Sequence, residues 1–153
     1  MKRIKIRPEH CVGCKLCEVV CKAGTVDPEE LIKTYKEGAT RPTPRCVVEG
    51  EGADTFAVQC RHCEDAPCIE ACMTGAMHRA PDGTVQHDPE RCIGCWMCVM
   101  VCPYGAIMKV VDEKKVVAKC DLCSARETPC CVLICPNEAL VVEESQEQPA
   151  KRR

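Results

Sequence analysis

The stretch that decides the fold is Cys92-Ile-Gly-Cys-Trp-Met-Cys-Val-Met-Val-Cys-Pro-Tyr-Gly-Ala106. Its cysteines have the spacing C-x2-C-x2-C-x3-C, and the same spacing occurs over residues 11–21. Two further runs, over residues 60–72 and 120–135, share the opening C-x2-C and the closing C-x3-C but have longer middle loops. A chain built on four such runs is organised by its cysteines.

The composition agrees with this interpretation. Cysteine contributes 18 of 153 residues, about 12%, which is the level at which cysteine chemistry rather than an apolar core organises a fold. The chain has one Trp, two Tyr and one Phe, so an ordinary apolar-core enzyme of this size is excluded. The formal net charge of −2 offers no basic field for nucleic acid.

Several features predict the compartment. No apolar segment approaches the roughly 18 residues that a membrane span requires. Cys11 follows the first residue too closely to leave room for the apolar region of a signal peptide. We therefore expect a cytoplasmic protein without direct membrane insertion, in which cysteines serve as metal ligands rather than as disulfides.

The spacing predicts iron–sulfur ligation. A C-x2-C-x2-C loop wraps three thiolates around one [4Fe–4S] cubane, and in two-cluster ferredoxins the fourth cysteine of the run ligates the other cluster. Two runs thus make a cross-linked unit with two clusters, and four runs predict four [4Fe–4S] clusters. The predicted ligands are Cys11, Cys14, Cys17, Cys21, Cys60, Cys63, Cys68, Cys72, Cys92, Cys95, Cys98, Cys102, Cys120, Cys123, Cys131 and Cys135.

Zinc is the alternative metal, but zinc sites pair two C-x2-C knuckles across a longer gap. Within the fourth run the third ligand is Cys130 or Cys131, and the C-x3-C ending shared by the other runs favours Cys131. Cys130 and Cys46 are then expected to be small buried residues. His10 and His62 flank cluster cysteines and could tune the cluster potentials as N–H donors, but a position on the surface is favoured for both.

Local patterns predict an α+β fold. After each fourth cysteine, a small residue and then an aliphatic one are expected to lead from a short helix, which carries that cysteine, into a strand. Hairpins are predicted for residues 77–80 with 84–87 and for residues 107–111 with 115–119. Residues 27–59 interrupt the repeat: a helix begins at Asp27-Pro28 and ends before Gly38, and two strands follow at 45–49 and 55–59.

Three segments carry a family resemblance: Cys60-Arg-His-Cys-Glu-Asp-Ala-Pro-Cys68, the 92–106 stretch, and Lys119-Cys-Asp-Leu-Cys123. They resemble four-cluster ferredoxin-like electron-transfer subunits. Such subunits accompany formate dehydrogenases, hydrogenases, DMSO reductase-type molybdopterin reductases and carbon monoxide dehydrogenases. The short chain without a membrane anchor is most similar to CooF-type proteins, which connect carbon monoxide dehydrogenase to a hydrogenase or to a flavin-containing NAD(P)H oxidoreductase.

The resemblance implies two interleaved bacterial-ferredoxin-like (βαββαβ) modules. The outer module would be residues 1–26 with 107–142 and the inner module residues 60–106, with an insertion at 27–59 and a flexible tail at 143–153. It also implies the ligand sets. These are Cys11, Cys14, Cys17 and Cys135 (cluster 1); Cys120, Cys123, Cys131 and Cys21 (cluster 2); Cys60, Cys63, Cys68 and Cys102 (cluster 3); and Cys92, Cys95, Cys98 and Cys72 (cluster 4).

The predicted function is an electron relay that is not catalytic alone. Carbon monoxide dehydrogenase is the favoured partner, with a flavoprotein NAD(P)H oxidoreductase or hydrogenase as the second, in a hetero-oligomer. The alternatives are a subunit of a formate dehydrogenase, hydrogenase or aldehyde oxidoreductase complex, an accessory ferredoxin for metalloenzyme maturation, and a zinc-knuckle binding module. Since each oxidised cluster with four thiolates carries about −2, the charge of the loaded protein would be about −10.

Overall fold

The structure is a computed structural model that describes residues 2–24, 27–36, 43–52, 54–110 and 116–144. Its helices are short, and the longest has nine residues. The helices are α1 (Leu16–Ala23), α2 (Pro28–Lys36), α3 (Pro67–Glu70), α4 (Met97–Val101) and α5 (Cys130–Ile134), with a 3-10 turn at Pro8–His10. The strands are β1 (Lys2–Ile6), β2 (Cys46–Glu51), β3 (Asp54–Gln59), β4 (Met77–Arg79), β5 (Val85–His87), β6 (Ile107–Lys109), β7 (Val117–Lys119) and β8 (Leu140–Glu144).

The strands of the described residues form four two-stranded antiparallel sheets: β1 with β8, β2 with β3, β4 with β5, and β6 with β7. The β1–β8 pair joins the first and last described strands and places Ile6 opposite Leu140. In the β2–β3 hairpin, Cys46 lies opposite Gln59. Two-stranded sheets are marginally stable on their own, so each needs packing against other elements.

Two small cores supply that packing. The outer core contains Ile4, Val48, Ala57 and Leu140 together with three cysteines, Cys17, Cys46 and Cys131. Since Val48 and Ala57 come from the β2–β3 hairpin, the insertion packs onto the elements at the two ends of the chain. Cysteine therefore makes up much of the apolar contact in this core.

The inner core contains Met77, Val85, Ile107 and Val117 with Cys68 and Cys98. Ile107 and Val117 pack here although the resemblance assigns residues 107–142 to the outer module. Helix α3 packs against α4, and α1 packs against α5. These contacts bring the second cysteine run to the third and the first to the fourth.

The predicted secondary structure agrees with the structure in most elements. Helix α2 begins at Pro28 as predicted, and the Asp27 Oδ1 accepts the N–H groups of Glu29 and Glu30 over 2.9 and 3.1 Å. The small residues Ala76, Ala106 and Ala139 are buried, and strands begin at the residue after each. Four predicted features lie outside the described residues: the strand start at Thr25-Val26 in the first run, the helix end near Gly38, the middle of the 107–119 hairpin and residues 145–153 of the tail.

One local prediction was wrong. The fourth cysteine was expected on the short helix in every run, but only Cys21 lies within one. The third cysteine of each run is helical instead, and Cys102 and Cys135 follow their helices with extended backbone angles. Strand β8 also extends to Glu144, two residues into the segment predicted as a tail.

No helix in the described parts of the chain is long and apolar enough to cross a membrane.

Candidate iron–sulfur sites

The four cysteine loops share one backbone feature. The second residue after the first cysteine has a left-handed conformation in each loop: φ is 66° at Gly13, 46° at His62, 69° at Gly94 and 58° at Leu122. Glycine adopts this conformation freely, whereas His62 and Leu122 need surrounding contacts to hold it. Such turns point successive N–H groups toward one side and create a cavity suited to negative charge.

The first and fourth runs meet at a cavity beside the first turn of α1. Its cysteines are Cys11, Cys14, Cys17 and Cys135, which is the set that the resemblance assigns to cluster 1. Apolar residues, including Leu16, Val48 and Leu140, complete its wall. Thiols from the first and fourth runs therefore surround one space with largely apolar walls.

Residues of the first and fourth runs also line a second cavity. Its wall includes Cys21, Cys120, Cys123 and Cys131, the set assigned to cluster 2. The start of the β2–β3 hairpin borders it too, through Arg45, Cys46 and Gln59. Cys130 also lines this cavity, and both Cys46 and Cys130 are buried.

The second and third runs meet at a third cavity. Cys60, Cys63, Cys68 and Cys102 line it, together with Tyr104 and Ile107. Beside it, Cys98 is buried, and burial together with the nearby thiols of Cys92 and Cys72 raises its pKa. Cys95, the remaining predicted ligand, is exposed.

Backbone amides point at several of these sulfurs. The N–H groups of Arg45, Met77 and Ala139 donate to the Sγ atoms of Cys21, Cys72 and Cys135 over 3.2, 3.3 and 3.2 Å. In the loops, the N–H groups of His62 and Leu122 donate to Cys60 and Cys120, each over 3.4 Å. Because a hydrogen bond to sulfur stabilises the thiolate over the thiol, these donors suit metal-bound cysteines.

Burial acts in the opposite direction on the free thiols. It raises the pKa of Cys98 to about 11 and that of Cys120 to about 12, and it also raises the pKa of Cys131. A metal centre must therefore displace these protons when it binds.

The twelve cysteines that line the three cavities fit [4Fe–4S] groups, because the ligands of a cluster with several irons surround a space. Among the described residues, no three Cys, His, Asp or Glu side chains are placed so that they could hold a single metal ion.

Three buried polar residues near these sites were not identified from the sequence. His62, expected on the surface, is 1% exposed, and its Nδ1 accepts the Val85 N–H over 3.1 Å. Gln59 and Lys119 are 2% and 4% exposed. A signal for the last two was present, since each directly precedes the first cysteine of a run and a polar residue occupies that position in all four runs.

Comparison with known proteins shows relatives across nearly the whole chain. A 38% identical "Iron-sulfur protein" of Rhodospirillum rubrum aligns over 90% of this chain and 79% of its own length. The "Electron transport protein HydN" of Escherichia coli (strain K12) is 39% identical over 86% of this chain and 81% of its own. The "Thiosulfate reductase electron transfer subunit PhsB" of Salmonella typhi is 34% identical over 86% and 70%.

A solved structure shares the fold. The active site complex BamBC of benzoyl coenzyme A reductase contains a chain with a TM-score of 0.53 and 25% identity, matching 99% of this chain and 82% of that one. Residues 52–145 match the family model described as a 4Fe-4S dicluster domain. The chain thus belongs to the 4Fe-4S dicluster family and is an iron–sulfur protein of electron transport.

Proposed function

We propose that this protein relays single electrons between a catalytic oxidoreductase and a second redox protein, and that its sixteen grouped cysteines hold four [4Fe–4S] clusters. The observation that carries the proposal is that three separate cavities are each lined by four of these cysteines, drawn from two different runs. When bound, each cluster accepts and releases one electron with little change in geometry.

The chain's own residues would hold the clusters and set the surroundings in which each one accepts and releases its electron. Thiolates from two runs would anchor each cluster, so that cluster binding also ties the runs together. The amides of Arg45, Met77 and Ala139 would stabilise the negative charge on sulfur. Apolar residues line much of the first and third cavities, and such less polar surroundings strengthen these interactions.

The partner that we favour is carbon monoxide dehydrogenase, with a flavin-dependent NAD(P)H oxidoreductase or a hydrogenase at the other end, in a cytoplasmic hetero-oligomer. Relatives named as electron transfer proteins of other redox systems, among them a thiosulfate reductase subunit, support a redox-enzyme partner in general. The charge of the loaded protein, about −10, would favour basic docking surfaces on both partners. Association should therefore weaken as salt concentration rises.

Metal analysis tests the first part of this proposal. Protein purified without oxygen should contain about 16 irons and about 16 acid-labile sulfides per chain. After reduction, its electron paramagnetic resonance (EPR) spectrum should show interacting clusters. A chain filled with zinc and lacking acid-labile sulfide would overturn the proposal.

Isolation of the native complex tests the partners. An affinity-tagged chain, recovered anaerobically from its own cells, should carry a dehydrogenase and a second redox protein in constant proportion. Recovery of carbon monoxide dehydrogenase would support the partner that we favour. Recovery of maturation factors alone would contradict a relay role in turnover.

A further inference from the structure

Lys119 is a buried cation at the boundary between the two cores. It is the last residue of β7, and its side chain is 4% exposed. The Nζ donates to the carbonyl oxygens of Val85 and Cys120 over 2.5 and 2.9 Å. Val85 belongs to the inner core, and Cys120 lines the second cavity, where the cysteines assigned to cluster 2 lie. The ammonium group therefore bonds both to a residue of the inner core and to a residue that lines the second cavity.

Among the described residues, no carboxylate lies within ion-pairing distance of the Lys119 Nζ, and the ion pairs Lys5–Glu143 and Arg45–Asp121 do not include it. Carbonyl oxygens supply dipoles but no net charge. A buried cation without a charged partner is strongly unfavourable, so a negative group must compensate for Lys119 in the working protein.

The two residues whose carbonyls bind the Nζ line two different cysteine cavities: Cys120 lines the second cavity and Val85 lines the third. Burial raises the pKa of Cys68 and of Cys120, and the charge of Lys119 opposes this effect at both thiols. Cys68 lines the cavity that also contains Cys60, and Cys120 lines the cavity that contains Cys131. The two cavities are also close to each other, since one ammonium group reaches the carbonyl of a lining residue of each.

We propose that Lys119 is the shared counter-ion of the two clusters at this boundary, cluster 2 and cluster 3, and that its charge raises the reduction potential of both. The inference rests on the proposed function. An added electron makes a cluster more negative, so a nearby cation stabilises the reduced form more than the oxidised form. Water does not screen this attraction, because the ammonium group is buried.

The test is a redox titration of the intact protein, monitored by EPR, for the wild type and for three variants of Lys119. Lys119→Met removes the charge and both hydrogen bonds. Lys119→Gln removes the charge but keeps an N–H donor for the carbonyls, and Lys119→Arg keeps the charge. Lys109→Met is the matched control, because Lys109 is exposed and lies with its Nζ 4.7 Å from the centre of the Trp96 ring.

We expect Lys119→Met and Lys119→Gln to lower the midpoint potentials of two of the four clusters, while the other two change far less. Lys119→Arg should restore both potentials toward the wild-type values, and Lys109→Met should leave all four nearly unchanged. Unchanged potentials in an iron-replete Lys119→Gln protein would overturn the inference. So would a uniform shift of all four clusters.

The iron content of the variants shows whether Lys119 is needed for the clusters to assemble or only changes their reduction potentials. If the Met and Gln variants lose iron while the Arg variant keeps it, the clusters require the charge, and the inference stands. If all three variants lose iron, the lysine has a steric role and the inference fails. Absence of iron and sulfide from the wild-type protein would instead overturn the proposed function itself.

Discussion

The Oε1 of Gln59 lies 3.9 Å from the Sγ of Cys131, and the Nε2 of the same buried amide has no hydrogen-bond partner among the described residues. The contact places a thiol proton toward the amide oxygen. A metal-bound cysteine has no such proton and acts only as an acceptor. With a cluster in place, the amide would turn so that Nε2 donates to the Cys131 sulfur.

Gln59→Glu and Gln59→Leu should therefore lower the reduction potential of the cluster that Cys131 ligates. Each substitution removes the N–H donor, and a donor to sulfur stabilises the more negative, reduced cluster. The measurement is a redox titration followed by EPR. Pulsed EPR after transfer to deuterated water should also show one fewer exchangeable hydrogen near that cluster.

Gln86→Leu is the control for this pair of variants, because the Gln86 Nε2 donates to Thr84 Oγ1 rather than to a sulfur. It should leave the potentials unchanged. Wild-type potentials in an iron-replete Gln59→Leu protein would show that the amide does not bond to Cys131.

Cys21→Ser should disturb a different cluster from Cys17→Ser, although the two residues lie in the same helix. Cys17 lines the cavity with Cys135, whereas Cys21 lines the cavity with Cys123. The EPR signal altered by Cys21→Ser should be the one altered by Cys123→Ser. The signal altered by Cys17→Ser should match that of Cys135→Ser, and one common signal for Cys17→Ser and Cys21→Ser would refute the cross-linked arrangement.

Removal of iron should unfold most of the chain. Each core is small and includes cysteines that are predicted ligands, Cys17 and Cys131 in the outer core and Cys68 and Cys98 in the inner one, and folding is coupled to ligation when ligands form part of the core. Anaerobic incubation with an iron chelator should abolish the protection of backbone amides against hydrogen exchange. A parallel sample without chelator should keep it, and full protection in the iron-free chain would disprove the coupling.

Leu140→Ala should weaken the outer core. Leu140 is 2% exposed and packs with Ile4, so its truncation leaves a cavity that costs about 2 to 5 kcal/mol. Val142→Ala on the same strand is the control, since Val142 is 36% exposed and should cost about 1 kcal/mol or less. Loss of cluster absorbance in denaturant, measured without oxygen, compares the two variants. Equal sensitivity would show that strand β8 does not hold the outer core.

The elements predicted from the sequence are those specified by residues close together in the chain. The Asp27-Pro28 start of α2 and the strands after Ala76, Ala106 and Ala139 follow from local rules of capping and spacing. The wrong placement of the fourth cysteines also has a local reason, because the extended backbone at Cys102 and Cys135 ends those helices. The pairing of β1 with β8 was not predicted, since its partners are separated by nearly the whole chain.

The sequence by itself determined the kind of centre this protein holds, because the ligands of each loop lie a few residues apart and their spacing requires no knowledge of the fold. Tertiary structure decided which buried groups surround those centres. The burial of Gln59 and Lys119 depends on elements remote in sequence, and the Nζ of Lys119 reaches the Val85 carbonyl across 34 positions. Packing of α1 on α5 likewise brings Cys17 and Cys135 to one cavity, a contact that neither run encodes alone.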